Sequence, residues 1–165
     1  MIMPRRVLFL CPEHGVRSQT AAALVRHYGG ADFAAVSAGI RPQPIHPDVL
    51  AVINASDMAW GHVRSTAVDE LRHRAFDHII SICDRNREPC PTWDDEHPVV
   101  CWHYPEPTIT SDREQLRRAV GLLRSQLTQR VLIFISAERR ALRHDPQPHR
   151  YPATQPIDLQ PPERL

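Results

Sequence analysis

The chain has 165 residues, 42% hydrophobic and 24% charged, with a formal net charge of +1. That length supports one domain with its own core, and the near-neutral charge argues against nucleic acid or an acidic membrane surface as partners. No run of about 18 apolar residues occurs. The short apolar stretch after Met1-Ile2-Met3-Pro4-Arg5-Arg6 has no small-residue cleavage site, so a cytoplasmic location and no membrane span are expected. All 20 cationic residues are Arg, which reads as genome composition. In a reducing compartment the 4 cysteines favour reactive or ligating roles over structural bridges.

The first predicted element, Val7-Leu8-Phe9-Leu10, is a short strand buried on both faces. Cys11 stands at its end, and Ser18-Gln19-Thr20-Ala21-Ala22-Ala23-Leu24-Val25 has the composition of a helix start. A strand end, a tight loop and a helix N-terminus make an anion trap, because loop N–H groups and the helix dipole converge on one point. Pro12, Glu13, His14, Gly15 and Val16 form that loop. The same field favours a Cys11 thiolate near neutral pH. Arg17 can grip two oxygens of a tetrahedral anion, and the Ser18 hydroxyl can hydrogen-bond the thiolate. The alternative is a buried core cysteine with no chemistry.

A helix over Gln19–Tyr28 closes at Gly29-Gly30, and Phe33–Ile40 forms a second buried strand. Three prolines (Pro42, Pro44, Pro47) precede a helix from Pro47 to about Asp57. Ser65 or Thr66 caps a short helix through Val68, Leu71 and Phe76. Strands over Asp77–Cys83 and Val99–Tyr104 follow. A long amphipathic helix starts near Ser111-Asp112, with Leu116, Ala119, Val120, Leu123 and Leu127 on one stripe. No turn signal separates it from Gln129–Ala141, so the helix continues there despite the strand-like Val131–Ile135. The segment from His144 carries 6 prolines, which sets a domain over residues 1–143 apart from a disordered tail over 144–165. Strands alternating with helices imply an α/β fold with a four-stranded parallel sheet covered on both faces. Ligands bind such sheets beyond the carboxyl ends of the strands, where Cys11, Cys83 and Glu106 all fall.

Cys83 and Cys90 are seven residues apart, the second between Pro89 and Pro91. Zinc ligation by these two with Cys101, His97 and His103 is one reading, although metal-binding pairs are usually closer in sequence. Cys83 also suits a core position. Cys90, in a polar Pro-flanked loop, suits thiol–disulfide exchange, which needs access and a leaving thiolate. Cys101, inside a strand beside Trp102, is expected to be packing.

With these residues in place, the chain resembles the thioredoxin-coupled arsenate reductases, built on the three-layer fold of the low-molecular-weight protein tyrosine phosphatases. The resemblance spans Val7 to Leu142. It rests on Cys11 to Arg17-Ser18-Gln19, on Val36-Ser37-Ala38-Gly39 with Pro44 and Pro47, and on Cys83-Asp84 with Cys90-Pro91. Trp102 and Glu106-Pro107 add to it. Phosphatases of this fold carry the first loop without the Cys83 and Cys90 pair, and place the acidic-Pro pair nearer the C-terminus.

The resemblance implies a cofactor-free, metal-free monomer in which arsenate, or another phosphate-like oxyanion, sits in the loop under Arg17. Cys11 attacks arsenic while Glu106 protonates the departing oxygen. Cys83 then attacks Cys11, arsenite leaves, and Cys90 moves the disulfide outward for thioredoxin or another thiol reductant. Two positions depart from the family: Glu106 stands where it has Asp, moving the proton by about one bond length. His14 stands where it usually has Asn, which brings a positive charge near the anion at low pH. A phosphatase using Cys11 and Arg17, and a non-catalytic oxyanion-binding regulator, are the other two readings.

Overall fold

A computed structural model describes residues 3–13, 15–55, 66–94 and 97–144. His14, the end of the helix expected to reach Asp57, the candidate cap Ser65, and the tail beyond His144 lie outside the described residues. Strand β1 (Arg5–Cys11) pairs in parallel with β2 (Phe33–Gly39) on one side and β3 (His78–Cys83) on the other, and β3 pairs in parallel with β4 (Val100–His103). The order β2-β1-β3-β4 makes the expected four-stranded parallel sheet.

Alternation along the strands divides the core. Val7, Phe9, Ile80, Ile82 and Trp102 face one side, against helix α1 (Val16–Gly29), helix α2 (Pro47–Asn54) and the long helix α3 (Arg113–His144). Leu8, Leu10, Ala38 and Ile79 face the other, against Val68, Leu71, Phe76 and Trp93. The buried run Ala21-Ala22-Ala23 lets α1 lie close between the sheet and α3. Helix α3 runs unbroken for 32 residues, so Val131–Ile135 is helical, with Val131 and Ile135 extending the buried stripe of Leu116, Val120, Leu123 and Leu127. Asp112 caps it by accepting from the N–H groups of Glu114 at 2.9 Å and Gln115 at 3.2 Å. Asp77 aligns the first and third strands by accepting from the Arg6 N–H at 2.7 Å while its own N–H donates to Arg6 O at 2.8 Å. None of the described helices is long and apolar enough to cross a membrane.

Two expectations are corrected. The helix through Phe76 shrinks to a 3-10 turn over Val68–Leu71, and the chain entering it is tied to β2: Thr66 O accepts from Gly39 N–H, and Ala67 bridges Gly39 in parallel. Cys101 is exposed and does not pack in the core. The edge strand β4 turns Trp102 into the core, and by alternation Cys101 and His103 point away from it.

If the α3 stripe carries the packing, Leu127→Ala destabilises the protein by about 2–5 kcal/mol. Leu122→Ala, on the exposed face, changes stability by about 0.5 kcal/mol or less. Denaturant midpoints at constant m-value measure both.

Candidate active site

Cys11 ends β1 and α1 begins at Val16, and Pro12, Glu13 and Gly15 are the described residues between them. Carbonyls of Cys11, Pro12 and Glu13 accept from the N–H groups of Ile40, Arg41 and Gln43 at 3.3, 2.8 and 3.0 Å. Those bonds tie the loop to the segment after β2. The Gly15 N–H points inward and donates to Cys11 Sγ at 3.2 Å, and Ser18 Oγ lies 2.9 Å from the same sulfur. Pro12 has no N–H, so its part in the loop is to shape it.

The helix starts earlier than its composition suggests, which puts Arg17 and Ser18 in its first turn. Arg17 is buried among acceptors. Its Nη1 donates to Glu88 Oε1 at 2.5 Å and to Tyr104 O at 3.1 Å, and its Nε pairs with Glu106 Oε2. Burial pulls the guanidinium down, but Glu106 and Glu88 outweigh it and keep Arg17 charged. Glu106 also accepts from the Val16 N–H at 3.3 Å. Burial pushes its carboxyl above the ordinary range, against the pull of Arg17 and that N–H. A Cβ on Gly15 would stand 2.7 Å from Glu106 Oε1, so glycine is what lets the carboxylate come this close.

The expected Cys11 thiolate is corrected. Burial pushes this fully enclosed thiol up, and Glu106 adds to the push; Ser18, Arg17 and the Gly15 N–H pull down without prevailing. Cys11 therefore resists becoming a second anion beside Glu106, whose own carboxyl is already pushed up by burial. Passing one proton from the thiol to the carboxylate makes a nucleophile and an acid together, with no change in net charge.

Cys83 and Cys90 form a disulfide, and hydrogen bonds within the loop between them hold its turn: the N–H groups of Arg87 and Glu88 donate to Asp84 O, and the Asp84 N–H donates to Glu88 Oε1 at 2.9 Å. Register sets Leu10 beside Ser81, so Cys11 and Cys83 end adjacent strands at one edge of the sheet. This is the point where the chain's strand order switches direction. Sequence reasoning overlooked Glu88, whose only signal was an acid in a loop facing a buried Arg. It also gave His103 no part beyond zinc ligation.

The five-residue zinc set does not assemble. His97 is bonded to Asp94 and Cys101 stands apart, while Cys83, Cys90 and His103 bring their donor atoms within 4.8 Å of one another. With both sulfurs in a disulfide, no thiolate is available there for a metal.

Residues 6–140 match the family model described as low molecular weight phosphotyrosine protein phosphatase. An arsenate reductase of Halalkalibacterium halodurans is 22% identical over 129 residues, 78% of this chain and 93% of the relative. The solved arsenate reductase of Archaeoglobus fulgidus is 25% identical with a TM-score of 0.58, covering 76% of this chain and 98% of its own. An arsenate reductase solved in a phosphate-binding state is 22% identical with a TM-score of 0.64, covering 81% and 98%.

Glu106→Gln removes the charge that disfavours the Cys11 thiolate, so alkylation of Cys11 by iodoacetamide near neutral pH speeds up by about tenfold. Site-resolved mass spectrometry measures it, and an unchanged or slower rate removes Glu106 from control of the thiol.

Proposed function

Because the chain belongs to the low molecular weight phosphotyrosine protein phosphatase family, we propose that it uses the phosphate-binding loop of that family to reduce arsenate to arsenite. The observation that carries this reading is the Cys83–Cys90 disulfide at the sheet edge beside Cys11. A phosphatase needs one thiol there; a two-electron reduction needs more, because the electrons must come from sulfur.

In this reading arsenate enters as an oxyanion and takes the Arg17 guanidinium in place of the carboxylates now on it. The N–H groups of Gly15 and Val16 and the α1 dipole add to its binding. Cys11 passes its proton to Glu106 and attacks arsenic, and Glu106 returns the proton to the leaving oxygen. Cys83 next attacks Cys11 Sγ. The sulfur–arsenic bond breaks, its electron pair stays on arsenic, and arsenite departs. Cys90 attacks Cys83 Sγ and releases Cys11 as thiolate. The disulfide then lies at Cys90, which is half-buried, where Cys83 and Cys11 are enclosed. A thiol reductant, thioredoxin or another thiol, restores the pair, as in a cytoplasmic monomer acting on diffusing partners.

A second reading has one observation in its favour. A cleft of about 440 Å³ beside Glu106, walled by Ile45, Val49 and Ile109, exceeds the needs of an inorganic oxyanion. It suits a phosphate monoester with an aromatic leaving group, hydrolysed by Cys11, Arg17 and Glu106 alone.

Steady-state assays separate the two. In the reductase, Cys83→Ser and Cys90→Ser each lose multiple-turnover arsenate reduction by about a hundredfold or more. In the phosphatase, both variants keep wild-type hydrolysis of an aryl phosphate, and the wild type shows no arsenate-dependent consumption of reductant.

A further inference from the structure

One side chain at this edge takes no part in the steps above. His103 ends β4, and register places it directly beside Cys83. Its Nδ1 lies 3.4 Å from Cys83 Sγ, and the same ring is within 4.8 Å of Cys90 Sγ. The histidine is exposed, so its ring sits between a buried sulfur and solvent. The two sulfurs differ in access. Cys83 is 1% exposed, whereas Cys90 lines a cleft of about 540 Å³ with Pro12, Arg41 and Trp93. An incoming thiolate therefore meets Cys90, and Cys83 is the sulfur that leaves. A buried thiolate is an unfavourable leaving group unless a proton arrives with the electrons.

We propose that His103 is a catalytic acid–base residue of the thiol exchange, serving the Cys83 sulfur. As the reductant's thiolate bonds to Cys90 Sγ, the Cys83–Cys90 bond breaks and its electron pair passes to Cys83 Sγ. The His103 imidazolium gives that sulfur its Nδ1 proton and becomes a neutral ring. When Cys83 later attacks Cys11, the neutral ring takes the Cys83 proton back at Nδ1. This second use rests on the arsenate-reductase reading; the first needs only the disulfide. The charged groups along the edge are committed elsewhere: Arg17 to Glu88 and Glu106, and Arg87 to Asp84. None of them bonds His103 among the described residues, so the ring is the proton carrier in contact with Cys83.

The test follows reduction of the Cys83–Cys90 disulfide in the oxidised full-length protein by 2-mercaptoethanol near neutral pH, with a chelator present and the disulfide read by mass spectrometry. No arsenate is involved. His103→Ala slows the reduction by about 10–100-fold, and free imidazole restores the rate in proportion to its concentration. His103→Gln is equally slow and, with the space filled, gains little from imidazole. A His103→Ala rate within about twofold of wild type, or a slow rate that imidazole leaves unchanged, overturns the assignment. If arsenate fails to oxidise the wild type while His103→Ala still shows the imidazole-reversible defect, the arsenate reading falls and the role of His103 stands.

Discussion

The site depends on one buried cation. Taking the Arg17 guanidinium out of water costs several kcal/mol unless every donor finds a partner, and the partners come from distant segments. Glu88 arrives on the loop between Cys83 and Cys90, while Tyr104 O and Glu106 arrive on the segment after β4. The cation thereby fastens the anion-binding loop, the disulfide loop and the acid into one cluster. The carboxylates it holds pair with the guanidinium on two sides, so the cation is compensated without substrate. In the proposed reaction, substrate binding exchanges one set of anionic oxygens for another, so the charged pocket is never left unpaired.

The sheet supplies the rest of the geometry. Because β1 and β3 are neighbours in parallel, two cysteines far apart in sequence stand at the carboxyl ends of adjacent strands. Because β4 continues the sheet in register, His103 lands beside Cys83. The second arrangement follows from strand order and the two-residue period of side chains alone; the first follows from strand order, which sets the carboxyl ends of β1 and β3 side by side. The chemistry is then divided by burial. Cys11 is enclosed and electrostatically tuned, Cys83 is enclosed but adjacent, and Cys90 is open to a partner.

What was legible in the sequence was what one segment decides alone. The apolar run Val7–Leu10, the punctuation by Gly29-Gly30 and Pro47, and the 3.6-residue stripe of α3 each carry their own signal. What was not legible depended on tertiary neighbours. Cys101 carries the same strand pattern as its buried neighbour Trp102, and only its place on an edge strand exposes it. The charge state of Cys11 followed from burial and from Glu106, neither visible in the loop motif. Thr66 resembles a helix cap but is drawn into extended pairing with Gly39. Glu88 had no motif at all; its role exists only because Arg17 is opposite it.

The proposed relay passes oxidation from the sulfur of Cys11 to that of Cys83. Its most direct test is a single turnover of reduced Cys90→Ser with arsenate, quenched in acid and mapped by mass spectrometry. One new disulfide, Cys11–Cys83, is expected, formed with one equivalent of arsenite. Arsenite release without that bond, or a bond joining either residue to Cys101 in its place, contradicts it.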